Sequence, residues 1–213
     1  MNKDLVEVVF IIDESGSMSG LEADTIGGFN STIERQREIE GKCVVSTIFF
    51  NNKSRVIHDR ADLETIKKME RGDYYPSGST ALIDAVADAI KHIKTVHRYI
   101  REEDVPAKTL FIITTDGMEN SSRKHTSREL KEMIEERKKA GWEFIYLAAN
   151  IDAFATGHDY GFEDNDISDY LNDGAGNAVK YDCMNEAITS IRKERKLSPS
   201  WKREAEKDVS KRK

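Results

Sequence analysis

Apolar residues run almost without interruption through positions 5–12 (Leu-Val-Glu-Val-Val-Phe-Ile-Ile), the pattern of a strand covered on both faces. Ser19-Gly-Leu-Glu22 then reads as a capping box that opens a helix to about residue 40. Leu21, Thr25, Phe29 and Ile33 recur every four residues and form its buried stripe. Gly27 and Gly28 sit in the middle of that helix, where each costs roughly 1 kcal/mol relative to alanine. Close packing against a neighbouring backbone is the expected reason. Residues 43–50 form a second strand, and 54–59 follow the turn Asn51-Asn-Lys53 too soon for a crossover helix. That pair is therefore a hairpin, with an antiparallel strand at one edge of the sheet. A short helix is expected near 62–69, followed by a loop over 71–79. A helix from 80 to about 100 carries Leu82, Val86, Ala89, Ile93, Val96 and Ile100 on one face, and a β-branched strand covers 109–115. Thr126-Ser-Arg-Glu129 is a second capping box, its helix closed by Gly141, and 144–149 is the next strand. Residues 150–182 are less regular; a short helix after Asp152 and a short strand at 179–181 are expected there. A last helix runs from 184 to about 196 and stops before Pro199.

This order predicts an α/β fold: a doubly wound, mostly parallel sheet with one antiparallel edge strand, occupying residues 1–196 as a single domain. Such sheets bind ligands at the carboxyl ends of their strands, where the strand order reverses. Asp13 lies at that end of the first strand and Asp116 at the matching end of the fourth. The chain of 213 residues is 38% hydrophobic and 34% charged, and no stretch approaches the ~18 apolar residues of a membrane span. Glu7 interrupts an apolar run already too short for a signal peptide. Cys43 and Cys183 have no metal-site spacing and form no disulfide framework. A cytoplasmic setting without membrane contact is the resulting expectation.

The net charge of −6 conceals an asymmetry. Residues 192–213 hold ten Lys/Arg against four Asp/Glu, while residues 1–191 hold 23 against 35. The basic tail, 197–213, is read either as a solvated helix end that frays, or as a segment that touches its own domain or a nucleic acid. Trp201 is the only aromatic residue within it, so a nucleic-acid platform is weakly supported.

The densest chemistry lies in Asp13-Glu14-Ser15-Gly16-Ser17, where one carboxylate and two hydroxyls alternate as strand gives way to helix. Hard oxygen donors of this kind suit Mg²⁺ or Mn²⁺, and neutral hydroxyls leave such a cation under-neutralised, in need of a further anion. Two more pieces join it: Thr80 after Gly78-Ser79, and Thr115-Asp116-Gly117 after the fourth strand. Together they resemble the von Willebrand factor A domain, whose metal-ion-dependent adhesion site has the same five side chains in this order. The resemblance covers about residues 5–196. Asp13-Glu-Ser-Gly-Ser-Met-Ser-Gly20, Gly78-Ser-Thr-Ala-Leu82 and Thr115-Asp-Gly-Met-Glu-Asn120 are closer to the small bacterial cytoplasmic members than to integrin I domains. It implies Ser15, Ser17 and Thr80 as direct ligands, with Asp13 and Asp116 balancing charge and positioning water. A carboxylate from an Asp or Glu of a protein partner would complete the octahedron. It further implies that the last helix, 184–196, shifts as the site changes state, carrying the tail with it.

Two other readings stay open. A phosphotransfer or hydrolytic enzyme would use a carboxylate beside a metal, but haloacid-dehalogenase-type chemistry needs a second carboxylate where Ser15 stands. Met18 occupies the serine position of a G-x-S-x-G run, and Gly174-Ala-Gly176 is a lone GxG. The alternative is a structural domain whose metal only stabilises the fold. Asp164-Asn-Asp166-Ile-Ser168 is no calcium loop, since Asp169 and Ala175 stand where glycine and glutamate are required. The five histidines fit surface or core positions. Tyr74 and Tyr75, before the Thr80 loop, serve either as interface anchors or as cover for the sheet edge.

Overall fold

The computed structural model describes residues 1–212. Six strands form one sheet: β1 (Asn2–Asp13), β2 (Lys42–Phe50), β3 (Ser54–Asp62), β4 (Pro106–Thr115), β5 (Glu143–Ala148) and β6 (Ile167–Asp169). Their spatial order is β3-β2-β1-β4-β5-β6. β1 pairs in parallel with both β2 and β4, so the order reverses around it, and only β3 runs antiparallel, joined to β2 by the expected hairpin. Side chains of β1 alternate between two cores. Val6, Val8, Phe10 and Ile12 face α1 (Glu22–Arg37) and α5 (Gly174–Glu194). Val9 and Ile11 face the layer that includes α2 (Leu82–Tyr99), α3 (Ser127–Lys139) and α4 (Ala153–Tyr160). This two-sided burial is why β1 reads as continuous apolar sequence. Glu7, the one polar residue between Leu5 and Ile12, is fully buried, ion-paired with Arg60 at 2.8 Å and hydrogen-bonded with His97 Nε2 at 2.7 Å.

Local signals and tertiary forces part company at several elements. Thr126 and Glu129 form the reciprocal capping box that the sequence predicts. Ser19 does not: α1 starts at Glu22, whose carboxylate instead accepts the Gly20 N–H at 3.0 Å. α1 also ends at Arg37, short of residue 40. The reason lies far along the chain, where the Arg192 guanidinium bonds the main-chain carbonyls of Gln36, Ile39 (2.7 Å) and Gly41 (2.8 Å). A helix C-terminus presents unpaired carbonyls, and a buried cation satisfies them. The short helix expected at 62–69 is one 3₁₀ turn, Leu63–Thr65.

The largest correction concerns 150–182. Asp152 caps α4 as expected. The strand expected at 179–181 is instead part of α5, which begins ten residues before Met184, and the sixth strand is Ile167–Asp169. Nor does the basic end fray over its described residues, 197–212; Lys213 lies outside them. A further helix, α6 (Arg203–Arg212), follows a 3₁₀ turn whose Trp201 is 1% exposed and donates its indole N–H to the Asn165 carbonyl at 2.9 Å. Lys202 reaches the Ile167 carbonyl at 3.0 Å, and Arg212 pairs with Asp173 at 2.7 Å. Of the readings of the tail, contact with its own domain is the one observed.

The glycine pair in α1 divides sharply. A Cβ at Gly28 would stand 2.0 Å from the Tyr181 ring, so α1 and α5 approach here too closely for any side chain on α1. A Cβ at Gly27 would meet nothing within 4 Å. Gly28→Ala should therefore destabilise the protein by several kcal/mol, about 3, through overpacking. Gly27→Ala should stabilise it by about 0.5–1 kcal/mol through helix propensity. Urea unfolding of the two variants checks both signs.

Candidate metal centre

The reversal of strand order places the ends of β1 and β4 side by side, and the predicted residues gather there. Asp13 closes β1 and is fully buried. One carboxylate oxygen accepts the Ser15 N–H at 2.7 Å and the other accepts the Thr115 hydroxyl at 2.6 Å. Its main-chain carbonyl takes the Tyr74 hydroxyl at 2.6 Å. Burial pushes the Asp13 carboxyl above the usual range; the hydrogen bonds from Ser15 and Thr115 oppose this, and the Asp116 charge adds to it. Asp116, 1% exposed, accepts the Ser17 hydroxyl at 2.5 Å and the Asn172 side-chain N–H at 2.9 Å. Ser15 Oγ lies 3.0 Å from Ser17 Oγ.

Thr80 comes from a separate loop and is brought in by the main chain. Its N–H donates to the Asn120 side chain and its carbonyl accepts the Asn120 N–H, each at 3.0 Å. The Gly16 N–H meets the Gly78 carbonyl at 3.0 Å, and Gly78 adopts φ +73°, a conformation that favours glycine. At Gly117 a Cβ would stand 3.5 Å from Ser17 Oγ and 4.0 Å from Thr80 Oγ1. Glycine there leaves the ground between the two hydroxyls free. Asp13, Ser15, Ser17, Thr80 and Asp116 thus converge from three loops: two carboxylates and three hydroxyls around one point, with Ser17 open to solvent. Among the described residues no group of three or more His, Cys, Asp or Glu is placed to hold a metal. An ion at this centre would have to be held by oxygen donors that include hydroxyls, a hard donor set that fits a divalent cation.

Several supporting residues escaped the sequence reading. Thr115 was noted as part of a triplet but not as the donor that orients Asp13. Asn150, in a left-handed conformation at φ 58°, donates to the Asp116 carbonyl at 3.2 Å; its place directly after an apolar strand was the available clue. Asn172 and Tyr170, whose hydroxyl bonds the Thr115 carbonyl at 3.2 Å, lie in the poorly legible stretch and had none. The two tyrosines take different roles. Tyr74 is buried under Asp13, whereas Tyr75 is 55% exposed, with its N–H on the Glu14 carboxylate at 3.0 Å and the Arg55 guanidinium 4.6 Å from its ring centroid. Arg55 is held in turn by the buried Glu14 at 2.6 Å.

The von Willebrand factor type A domain family matches residues 7–191, and the chain belongs to it. Among curated proteins none matches. Solved structures show the same fold at low identity. The vWF domain of the type V pili tip protein Mfa5 from Porphyromonas gingivalis superposes with a TM-score of 0.67 at 10% identity, over 93% of this chain and 99% of that one. Manganese-loaded TRAP from Plasmodium vivax gives 0.56 at 16% identity, over 84% of this chain and 73% of that one. Proximal thread matrix protein 1 from the mussel byssus, with a zinc-occupied MIDAS motif, gives 0.55 at 10% identity, over 81% of this chain and 43% of that one. The chain spans less than half the length of the mussel protein.

Thr115→Val keeps the shape of the side chain and removes the donor to a buried carboxylate. It should cost about 1.5–3 kcal/mol of stability, since hydrogen bonds to charged groups carry that much. Denaturant unfolding at neutral pH reads the loss.

Proposed function

We propose that this domain binds a protein partner by way of a divalent cation, Mg²⁺ or Mn²⁺, held at the centre formed by Asp13, Ser15, Ser17, Thr80 and Asp116. The observation that carries the reading is the donor set itself. Three neutral hydroxyls and two carboxylates are brought together at one end of the sheet, four of the five residues buried and Ser17 exposed to solvent. Ser15, Ser17 and Thr80 would contact the ion through their hydroxyls. Asp13 and Asp116, held by Thr115, Asn172 and backbone donors, would supply the balancing charge. When bound, the cation supplies a Lewis-acidic coordination position for an external carboxylate. An Asp or Glu of the partner fills that role, and the exposed Tyr75, bonded through its N–H to Glu14 next to Asp13, offers an aromatic anchor. The manganese-loaded and zinc-occupied relatives support a divalent ion here.

The reading is one of binding rather than catalysis. Ser15 stands where a second acid would be needed for phosphotransfer, and no histidine is among the residues described around the centre. Nucleic acid is not part of it, and α6 engages its own domain. No described helix is long and apolar enough to cross a membrane. Cys43 and Cys183 are buried free thiols, which supports a cytoplasmic setting.

Calorimetric titration of Mg²⁺ and Mn²⁺ into the wild-type protein and into Asp13→Ala, with and without millimolar acetate, tests the proposal. Asp13→Ala should weaken metal binding by about 10–100-fold, the range seen when residues supporting metal ligands are removed. Acetate should tighten binding to the wild type. Equal binding by both proteins, or no response to carboxylate, would overturn the reading.

A further inference from the structure

Lys180 is the most unusual charged residue of the chain outside the five. It is completely buried in α5, a position lysine almost never occupies without a partner. Its ammonium donates to no acceptor among the described residues. It lies instead between two aromatic faces, 4.9 Å from the Tyr170 ring centroid and 5.0 Å from that of Tyr181. Such contacts recover only part of the solvation that a buried cation loses. One turn earlier on α5, both polar atoms of the buried Asn177 side chain are also unpartnered, and neither offsets the charge. Tyr170, the ring that Lys180 faces, donates its hydroxyl to the Thr115 carbonyl at 3.2 Å, and the Thr115 hydroxyl donates to Asp13 at 2.6 Å, so one aromatic ring separates the ammonium from the strand end that carries Asp13 and Asp116. The charges of Asp116, Asp13 and Asp24 favour the ammonium form. Two of these are the acids of the metal centre.

The charge balance changes when Lys180 is counted. Asp13 and Asp116 alone would match a dication. With a buried ammonium added, the filled centre carries one positive charge too many, in surroundings where charges are poorly screened. We propose that Lys180 is the buried counter-charge of the metal centre: it weakens the hold on the divalent ion and leaves the filled centre positive, so that the bound ion draws in an acidic partner group. This rests on the metal-centre reading above. Lys180 is a positioning residue in this role; its ammonium need touch neither ion nor partner. It also accounts for a costly feature that packing does not explain, since a methionine would fill the same space without the burial penalty.

The groups facing Lys180 are Asp13 on β1, Asp116 after β4, Asp24 on α1, Tyr170 after β6 and Tyr181 on α5. Burial keeps both tyrosines protonated well above their usual range. Burial also pulls Lys180 down to about 8, against the pull of the three aspartates. The ammonium is therefore charged at pH 7 and discharges in mildly alkaline solution, where its opposition to the metal ends.

The experiment is Mg²⁺ calorimetry, with and without acetate, on the full chain and on Lys180→Met between pH 6.5 and 9. At pH 7 the variant should bind Mg²⁺ about tenfold more tightly, the equivalent of one pKa unit of interaction, and should gain less from acetate. The gap should narrow above pH 8, because the wild type loses its opposing charge and the variant has none to lose. A merely structural lysine would not produce that convergence. A folded variant with unchanged Mg²⁺ affinity, or a gap constant with pH, overturns the proposal while leaving the metal centre standing. Absence of Mg²⁺ binding to the wild type at every pH would instead bring down the metal centre, and this proposal with it. Lys180→Gln is a second route to the same comparison. If neither variant folds, the wild type decides alone: affinity that is flat from pH 6.5 to 9 overturns the counter-charge, and a rise through about pH 8 that levels off towards pH 9 upholds it.

Discussion

Two carboxylates buried side by side are the constraint around which the carboxyl end of this sheet is arranged. Asp13 and Asp116 are each at most 1% exposed, and they end adjacent parallel strands at the place where strand order reverses. Bringing two like charges out of water and toward one another is unfavourable unless donors converge on them. The surrounding chain supplies those donors from many directions. Ser15 and Thr115 serve Asp13; Ser17 and Asn172 serve Asp116; Tyr74, Tyr170 and Asn150 fix the backbone to which both belong. These donors stand at positions 15, 17, 74, 115, 150, 170 and 172, so the centre cannot form before the whole fold does. Few of them could be exchanged without leaving a buried oxygen unpaired, which costs more than a typical hydrogen bond gains.

What could be read from the sequence follows from this difference between local and distant causes. β1, β2 and β4 were legible because their apolar runs record burial on both faces, a property each segment carries alone. The capping box at Thr126 was legible for the same reason: cap and helix lie within four residues. The box at Ser19 failed because the segment before α1 is held elsewhere, with Ser17 bonded to Asp116 and the Gly20 N–H on the Glu22 carboxylate. The end of α1 was illegible because its carbonyls are satisfied by Arg192, more than 150 positions away in sequence. Residues 174–183 read poorly as a helix because three features contradict the usual pattern. They begin with two glycines in three residues, they bury Asn177 and Lys180, and their apolar stripe is broken accordingly.

The five candidate ligands were legible for another reason. Asp13, Ser15 and Ser17 at the end of β1 and Asp116 after β4 put acids and hydroxyls at the same end of two apolar strands, where they are costly in a core, whereas Thr80 stands in the loop before α2. Asn172 was not legible, since an isolated Asn in a loop is a common turn residue. A similar blindness affected Gly27 and Gly28, identical in sequence and opposite in consequence. Only the ring of Tyr181, pressed against one and absent from the other, separates them.

α5 ties these points together. It touches α1 at Gly28 through Tyr181, pins the end of α1 through Arg192, encloses Lys180 near the two acids, and is capped at its start by Asp173, to which Arg212 of α6 is paired. On the proposed reading, ion and partner carboxylate bind to one centre, and each raises the affinity for the other by the same factor. A donor set rich in neutral hydroxyls keeps the ion's own affinity modest, so a larger share of the total binding free energy depends on the partner being present. A centre of three or four carboxylates would hold the ion whether or not a partner came. On that reading, serine and threonine at positions 15, 17 and 80, with a buried cation nearby, would make occupancy conditional on the ligand that completes the centre, and that conditionality is what an interaction module requires.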